Sequence, residues 1–283
     1  PVMPGMVYAP QPNSYRCEFE GQTPDECAAL CAQSIEDLIL FHGPDTVAAL
    51  IAEPVSASSL AAVPGDPYWP MIREICTRYG VLLIADEVIT GFGRTGQMFA
   101  VEHWEIVPDM MTVAKGITSS YLPLAATICT TDVSEAFAGE QNIFRQALTF
   151  GGHPVCASVA LSNIEIIESE QLVQNSAVMG EYFLNKLKEM KEVHPIIGDV
   201  RGLGLLLGIE IVKDRKTKEN FSTDSGIAEK LNKAFRSHGL ILFASDKGIS
   251  LGPPLCIQKD EVDFISEAIS KSLAIVEEEF SKR

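Results

Sequence analysis

Two charged residues stand directly after apolar runs that are typical of buried strands. Asp86 follows Val-Leu-Leu-Ile-Ala at 81–85, and Lys115 follows Met-Met-Thr-Val-Ala at 110–114. A charge at the end of a buried strand costs on the order of several kcal/mol unless it is paired or used in chemistry. The sequence therefore predicts either a structural ion pair between the two residues or a site that uses both.

The chemistry open to this pair is specific. A lysine amine can form an imine with an aldehyde, and a carboxylate can keep a ring nitrogen protonated so that the ring accepts electrons. Pyridoxal phosphate requires both groups. Asp86 and Lys115 are therefore candidates for a pyridoxal-phosphate site, and the structural Asp–Lys ion pair is the alternative.

The elements that must position these residues follow an alternating order. Helix and strand patterns alternate over residues 25–41, 46–52, 68–79, 81–85, 110–114 and 124–129, where the last two are both strands. Apolar strands separated by helices predict an α/β fold with a mostly parallel sheet whose strands are buried on both faces. Ligands of such sheets bind beyond the carboxyl ends of the strands, where Glu53, Asp86 and Lys115 stand.

The pattern changes in the last third of the chain. Residues 154–191 predict helices with a break near Glu170. Beyond them, strands are predicted at 205–212, 240–243 and 249–251 and helices at 224–237 and 259–280. We expect three parts: a larger cofactor-binding part over 1–165, connecting helices over 166–192, and a small α+β domain over 193–283.

Three motifs occur in a specific order and spacing. They are Ala-Asp-Glu-Val-Ile-Thr-Gly-Phe-Gly-Arg-Thr-Gly at 85–96, Pro-Asp-Met-Met-Thr-Val-Ala-Lys-Gly at 108–116 and Thr-Phe-Gly-Gly-His-Pro at 149–154. Together they resemble the class III, or omega, aminotransferases of pyridoxal-phosphate fold type I, and the resemblance extends from Val7 to Phe280. It implies a large domain with a mostly parallel sheet and a small α+β carboxyl-terminal domain, of which this chain holds the carboxyl-terminal part.

The resemblance implies a role for four residues around the cofactor. Lys115 matches the lysine that forms the Schiff base, and Asp86 matches the aspartate that pairs with the pyridinium nitrogen. Val88 would pack on one ring face, although an ordinary core valine fits the sequence equally well. Thr149 would reach the cofactor phosphate of the partner subunit, which implies a homodimer with its site at the interface.

Two further residues match the family pattern. Glu53, in Ile-Ala-Glu-Pro-Val, matches a strand-end glutamate that shapes the cofactor pocket, and a structural anion is the alternative. Arg201, in Asp-Val-Arg-Gly-Leu-Gly, looks like the arginine that clamps a substrate carboxylate through its guanidinium fork. For Arg201 the alternative is a surface arginine at a turn.

Other polar residues are expected to be structural. His153, in Gly-Gly-His-Pro, is predicted to stand at a helix entry and not to be a general base. Arg94 is expected in a shaped glycine-rich loop near the pocket. The acidic run at 277–279 is expected to be a solvated helix face.

The chain also departs from the family pattern. Family members carry an earlier segment with a Gly-Ser phosphate-binding loop and an aromatic residue that stacks on the pyridine ring, and neither feature occurs in these 283 residues. We therefore expect the chain to be the carboxyl-terminal part of a larger protein, or a processed one. A smaller departure is Ser120, which stands where glycine is usual.

The amino-acid composition limits the classes of partner that this protein could bind. There are 22 Lys and Arg residues against 38 Asp and Glu, a formal net charge of −16, which disfavours binding to nucleic acid or to an anionic membrane. No apolar window is long enough to span a bilayer, and the first residues show no basic segment followed by an apolar run, so we expect a soluble protein that is not exported. The seven dispersed cysteines are typical of reduced core residues and predict a cytoplasmic protein, with Cys27 and Cys31 as packing residues and no metal site.

The resemblance implies an enzyme, a pyridoxal-phosphate-dependent transaminase. It would move an amino group from an omega-amino acid or amine to an oxo acid, expected to be pyruvate, through a Lys115 Schiff base and pyridoxamine phosphate. The alternatives are an aminomutase or decarboxylase of the same fold, and a catalytically incomplete fragment that acts as a dimerisation scaffold. A nicotinamide-dependent dehydrogenase is disfavoured, because no Gly-x-Gly-x-x-Gly follows a first strand.

Overall fold

The computed structural model describes residues 3–19, 21 and 23–281, and these divide into two compact units. Unit 1 holds the residues up to Pro54 together with Val63–Gly91 and Ala100–Glu165. Unit 2 holds Val55–Ala62, Phe92–Phe99 and the residues from Ile166 onward. Each unit has its own sheet, so each is described by itself.

Apart from a short helix at Thr131–Glu135, which was not expected from the sequence, the helices and strands that begin in unit 1 follow the expected order. They are α1 (Pro24–His42), β1 (Ala49–Ala52), α2 (Tyr68–Tyr79), β2 (Leu82–Asp86), β3 (Met110–Val113), β4 (Ala126–Cys129), α3 (Thr131–Glu135) and α4 (Pro154–Ser169). α1 begins with a capping box, in which Thr23 and Glu26 each accept the other's backbone N–H. α2 ends at Gly80, whose φ of +68° favours glycine.

The sheet of unit 1 confirms the α/β class. In the described residues its strand order is β1-β2-β3-β4, with β1, β2 and β3 parallel and β4 antiparallel to β3. The carboxylate of Asp109 supports this sheet, because it accepts hydrogen bonds from the Leu83 N–H at 2.7 Å and from Arg73 of α2 at 2.8 Å. Two of the three strand pairings are parallel, as expected.

The expectation that every strand is buried on both faces is wrong for the two outer strands. Leu83 and Ala85 of β2 are fully buried, whereas β4 is exposed along its whole length and β1 alternates between exposed and half-buried residues. Ile51 and Ile128 are each 49% exposed. The apolar pattern marks these segments as strands, but within the described residues nothing covers their outer faces.

Unit 2 is a small α+β unit, as expected for the carboxyl-terminal region. Its elements are α5 (Leu172–Val193), β5 (Ile197–Leu203), β6 (Leu206–Ile211), α6 (Ile227–Ser237), β7 (Ala244–Ser245), β8 (Gly248–Leu251) and α7 (Lys259–Ser281). The sheet order in this described part is β5-β6-β8-β7, with antiparallel pairing throughout. The expected break near Glu170 is confirmed, since α4 ends at Ser169 and α5 begins at Leu172.

Two local expectations in unit 2 are wrong. Residues 240–243 form no strand; the strand lies at Ala244–Ser245, where the Asn232 side chain both donates to and accepts from the Ala244 backbone. The run at 277–279 is not merely a solvated face. Glu277 accepts a hydrogen bond from the Ile196 N–H and lies 2.8 Å from the buried His194 ring, and Glu279 pairs with Lys230.

The seven cysteines are all free thiols, but they are not all core residues. Cys27, Cys31 and Cys76 are fully buried, whereas Cys129 and Cys256 are exposed.

Within the described ranges, no helix combines the length and the apolar character needed to cross a membrane.

The turn between β5 and β6 depends on a close approach of three backbone segments. Gly204 has φ +54°, and a Cβ atom placed on it would lie 2.3 Å from the carbonyl carbon of Thr95. A Cβ atom on Gly180 of α5 would lie 2.2 Å from the carbonyl carbon of Gly204. Backbone cannot move aside as a side chain can, so glycine is required at this crossing.

We expect Gly204→Ala to lower the free energy of unfolding by about 2–5 kcal/mol, because it adds a backbone clash to the left-handed strain. Gly226→Ala is the matched control. Gly226 has φ +68° but no atom near its Cβ position, so we expect this variant to lose only about 1–2 kcal/mol of unfolding free energy. Urea denaturation of both variants measures the difference. Equal losses would show that the close approach contributes nothing.

Candidate active site

The parallel pairing of β2 and β3 brings the two predicted chemical residues to one edge of the sheet. Asp86 is the last residue of β2 and is in register with Thr112 of β3. Lys115 follows two residues after β3 ends at Val113. Since the carboxyl ends of parallel strands meet at the same edge, Asp86 and Lys115 both stand at the edge where ligands bind in such sheets.

The Asp86 carboxylate is held in a fixed orientation. Its Oδ1 accepts a hydrogen bond from the Val88 N–H at 3.1 Å and one from the Thr112 hydroxyl at 3.2 Å. Within residues 3–19, 21 and 23–281, Oδ2 accepts no hydrogen bond and no ion pair joins Asp86 to Lys115. The structural ion pair is therefore not formed, and one carboxylate oxygen is available to a ligand.

Lys115 has a strained backbone. Its φ is +43°, in the left-handed region that costs a non-glycine residue about 1–2 kcal/mol. The residue is exposed and begins a short 3₁₀ turn, Lys115–Ile117. Such strain persists only where the surroundings hold it, and it is concentrated at functional positions.

Asn163 of α4 holds the turn that follows Lys115. The Asn163 amide donates to the carbonyls of Gly116 at 2.8 Å and Ile117 at 3.2 Å, and its oxygen accepts from the Ser119 hydroxyl at 2.6 Å. Asn163 is 8% exposed, so these bonds are shielded from water. Sequence reasoning missed this residue, although an asparagine within an apolar helical pattern was a signal that could have found it.

The turn also explains the departure at Ser120. Ser119 and Ser120 have φ of +47° and +63°. Glycine adopts this conformation without steric cost, whereas serine is strained in it. A glycine at position 120 would adopt this conformation freely, and this chain forms the turn with serine at a cost in stability.

The remaining predicted residues of unit 1 lie in different surroundings. Glu53 directly follows β1 and is half-buried, so β1, β2 and β3 each end near a predicted residue. Val88 is half-buried and contributes its backbone N–H to Asp86. Thr149 is exposed in the segment between α3 and α4. The cofactor roles of these three residues stay predictions.

His153 stands at a helix entry, as predicted. Its Nδ1 accepts the Val155 N–H at 3.3 Å, and α4 begins at the next residue, Pro154. The imidazole therefore serves as a cap for free N–H groups at the start of the helix.

Glu87 is a buried acid that sequence reasoning did not single out. It is fully buried, and its carboxylate accepts hydrogen bonds from the Thr90 hydroxyl and, at 2.9 Å, from the Val101 N–H. Burial raises the pKa of Glu87, and these hydrogen bonds only partly oppose that effect. Glu87 therefore ties the residues after Asp86 to the backbone at Val101 and favours a proton at neutral pH more than an exposed glutamate does.

The raised pKa of Glu87 gives a signed pH dependence. Its contribution to stability is complete below the unfolded pKa of about 4.3 and is lost as the pH rises through the native value. We expect Glu87→Gln to gain stability relative to wild type from about pH 4 to pH 7, by about 1.4 kcal/mol for each unit by which the native pKa is raised.

Urea denaturation across this pH range measures the difference between the two proteins. Glu181→Gln, at an exposed position on α5, is the control and should show little change with pH. A difference between Glu87→Gln and wild type that stays constant, or shrinks as the pH rises, would contradict the assignment.

In unit 2, the Arg201 guanidinium binds two carboxylates and a backbone carbonyl of the protein itself. Its guanidinium pairs with Asp199 at 3.0 Å and Glu210 at 2.7 Å and donates to the Ser59 carbonyl at 2.9 Å. Its side chain is 12% exposed, and its buried Nε has no hydrogen-bond partner among the described residues. The substrate role of Arg201 stays a prediction, and these contacts compete with it.

Arg94, also in unit 2, binds carbonyl groups. Its Nη1 donates to Leu205 at 3.0 Å and to Pro253 at 2.6 Å, and burial lowers its pKa. Its own carbonyl accepts the Leu205 N–H and the Ser176 hydroxyl. The glycine-rich loop is thus shaped by contacts of the Arg94 backbone and side chain.

The residues of unit 1 fit two ends of pyridoxal phosphate. Lys115 offers an amine without an ion-pair partner in the described part of the chain, which suits an aldehyde, and Asp86 offers an oriented carboxylate oxygen, which suits a protonated ring nitrogen. For the phosphate end, only Thr149 has been predicted, and it is exposed. The fit of the site to pyridoxal phosphate therefore depends on Asp86 and Lys115 at the strand ends.

The sequence matches the family model for aminotransferase class-III over residues 1–273. Taurine–pyruvate aminotransferase from Bilophila wadsworthia is 39% identical over 294 residues, which cover 99% of this chain and 63% of that protein. Putrescine–pyruvate aminotransferase from Pseudomonas aeruginosa is 38% identical, over 96% of this chain and 59% of that protein. The chain thus spans about three fifths of the length of these relatives.

Solved structures agree with the fold. An (S)-enantioselective omega-transaminase from Thermomicrobium roseum is similar with a TM-score of 0.93 and 40% identity, over 98% of this chain and 61% of that one. An amine transaminase from an uncultivated Pseudomonas species, solved in a PLP-bound form, has a TM-score of 0.91 and 35% identity, over 94% of this chain and 61% of that one.

Proposed function

We propose, since the chain belongs to the class-III aminotransferase family, that the complete protein is a pyridoxal-phosphate-dependent aminotransferase. The observation that carries the proposal is the placement of Lys115 and Asp86 at the ends of two neighbouring parallel strands, with no ion pair between them in the described residues. The chain spans about three fifths of its relatives, so the reaction is proposed for the complete protein.

Lys115 would hold the aldehyde end of the cofactor through its amine. When the amino donor has displaced it, the freed amine would take a proton from the donor carbon and would then give that proton to the carbon that was the cofactor's aldehyde carbon. A neutral amine is required for this proton transfer. Lys115 would thus be both anchor and acid–base group.

Asp86 would hold the opposite end of the ring. Its Oδ1 is fixed by the Val88 N–H and the Thr112 hydroxyl, which leaves Oδ2 to accept a hydrogen bond from a protonated ring nitrogen. When bound, pyridoxal phosphate supplies an electron sink for the pair left at the donor carbon. The carboxylate of Asp86 would keep that sink effective by stabilising the ring proton.

We infer that the amino donor is an omega-amino acid or an amine and that the acceptor is an oxo acid, pyruvate in the first instance. The support is that two relatives at 38–39% identity are pyruvate aminotransferases that act with taurine and with putrescine. These two donors differ in charge at the end far from the reacting amine, so they support the pyruvate side more than any one donor.

Replacing the lysine gives the direct test. In the complete protein, we expect Lys115→Ala to remove the absorbance band, near the edge of the visible range, of pyridoxal phosphate bound to a lysine as an imine. We also expect this variant to form no alanine from pyruvate with any donor in a panel of omega-amino acids, diamines and amines. Lys188→Ala, at an exposed position on α5, is the matched control and should retain both.

If the Lys115→Ala protein retained turnover, that result would contradict the proposed function. Turnover of a donor without any added oxo acid would instead assign an aminomutase or decarboxylase reaction. The panel therefore tests the reaction type together with the donor class.

Arg201 can be tested on the same panel. If it clamps a substrate carboxylate, we expect Arg201→Gln to raise KM roughly tenfold or more for donors that carry a carboxylate and to leave simple amines unchanged. If it serves Asp199 and Glu210, the variant should lose stability in urea and affect all donors alike. An effect confined to carboxylate donors would establish the clamp.

We also propose that the protein is a homodimer located in the cytoplasm, with Thr149 near the partner subunit. Thr149 lies between two large exposed apolar side chains, Leu148 at 71% and Phe150 at 81% exposure, which is the composition of a protein interface.

The free state of the seven cysteines supports the proposed location in the cytoplasm, which is a reducing compartment.

A further inference from the structure

A serine, a histidine and a glutamate form a hydrogen-bonded chain in unit 2, and none of them has a part in the reaction proposed above. His194 directly follows α5. Its Nε2 lies 2.7 Å from the Ser270 hydroxyl, and its Nδ1 lies 2.8 Å from the Glu277 carboxylate. Ser270 and Glu277 both belong to α7. His194 is 3% exposed, so water competes little with these two hydrogen bonds.

The glutamate decides which nitrogen of His194 carries the proton. An ionised Glu277 only accepts hydrogen bonds, so Nδ1 donates to it, and a neutral imidazole then presents Nε2 as an acceptor for the Ser270 hydroxyl. The second oxygen of Glu277 accepts the Ile196 N–H at 3.3 Å, which holds the carboxylate in place. A base that accepts from a hydroxyl and is itself oriented by an acid is the arrangement that activates a serine.

Ser270 differs from two neighbouring serines of α7. The hydroxyls of Ser266 and Ser272 donate to carbonyls of their own helix, at 2.8 and 2.7 Å, which is the ordinary way to satisfy a helical serine. Ser272 also lies 3.2 Å from Nδ1 of His238, but that nitrogen lies 3.0 Å from a backbone carbonyl and must donate to it. Of these three serines, Ser270 alone has a base beside its hydroxyl.

Ser270 lines an open groove between α5 and α7. The groove has a volume of about 430 Å³, which is enough for a small molecule. Met190 and Val193 of α5 line the same groove, and Val193 is 72% exposed, so an apolar group has a surface to rest on. Ser270 is half-buried, whereas His194 is covered. A molecule in the groove can therefore reach the serine hydroxyl while the base stays shielded.

We propose that Ser270 is a nucleophile that hydrolyses activated esters of short carboxylic acids, with His194 as its base and Glu277 as the residue that positions the base. The groove is open to water, which hydrates the negative oxygen formed when the ester carbonyl is attacked. Esters with a good leaving group are therefore the substrate class that this arrangement suits.

The reaction has two steps. The Ser270 oxygen attacks the ester carbonyl carbon while Nε2 of His194 takes the hydroxyl proton; the bond to the leaving alcohol then breaks, and the alcohol takes that proton. Water next attacks the acyl carbon and gives a proton to His194. The bond between the acyl carbon and the Ser270 oxygen breaks, and the serine takes the proton back. One ester and one water thus give one acid and one alcohol.

Trapping of the serine in the complete protein tests the proposal without any measurement of transamination. An alkyl fluorophosphonate forms a stable bond with an activated serine and releases fluoride. Trypsin then yields a fragment over 260–271 that carries both Ser266 and Ser270, and its fragmentation in the mass spectrometer shows which serine is modified. We expect Ser270 to be labelled roughly a hundredfold or more faster than Ser266, because only Ser270 has a base beside it.

Hydrolysis of 4-nitrophenyl acetate tests the activity itself. Prior labelling with the fluorophosphonate should remove a part of this hydrolysis in the wild-type protein, and Ser270→Ala should lack the same part. Ser266→Ala, in the same groove, is the matched control and should retain it.

Two further variants assign the roles of the other residues. His194→Gln keeps groups that can hydrogen-bond but has no base, so it should lower the maximal rate of labelling roughly a hundredfold or more. Glu277→Gln should lower that rate roughly tenfold or more, because a glutamine amide can stabilise the wrong tautomer of His194. It should leave the half-saturating concentration of the fluorophosphonate unchanged, because the groove itself is unaltered.

The wild-type protein decides the proposal even if circular dichroism shows that a variant fails to fold. If Ser270 stays unlabelled, or if Ser266 is labelled as fast, the three side chains only join α7 to the end of α5 and the proposal is wrong. Labelling of a folded His194→Gln protein at the wild-type rate would also contradict it. So would labelling of Ser270 that removes no hydrolysis of 4-nitrophenyl acetate.

Discussion

The parallel pairing of β2 with β3 is the interaction on which the candidate site depends. It places Asp86 opposite Thr112, whose hydroxyl then holds the Asp86 carboxylate, and it brings Lys115 to the same edge of the sheet. A shift of this register by one residue would turn Thr112 to the other face and remove that hydrogen bond. The chemistry proposed for the site therefore rests on backbone hydrogen bonds between two short strands.

The turn after β3 combines strain with support. Left-handed φ values at Lys115, Ser119 and Ser120 each cost about 1–2 kcal/mol. Asn163 offsets part of this cost, because it bonds the carbonyls of Gly116 and Ile117 in a site shielded from water. The turn that carries Lys115 is thus supported from α4, more than forty residues further along the chain.

The motif around Arg201 shows how one pattern permits two functions. Arg-Gly-x-Gly suits an anion-binding turn, yet Gly204 is required by a backbone crossing and the guanidinium bonds to Asp199 and Glu210. Buried arginines are stable only with such partners. Motif and contacts thus support different roles for the same arginine, and only the fold reveals the competing carboxylates.

The sequence by itself determined most of the local elements and supplied the candidate residues for the chemistry. Apolar periodicity and glycine stops predicted α1, α2, β2 and β3, and charges at strand ends predicted Asp86 and Lys115, because these signals are carried by neighbours in the chain. Only the tertiary structure decided the antiparallel direction of β4, its exposed faces, the absence of strand at 240–243 and the role of Asn163. Each of these depends on contacts between residues distant in sequence, which local periodicity does not record.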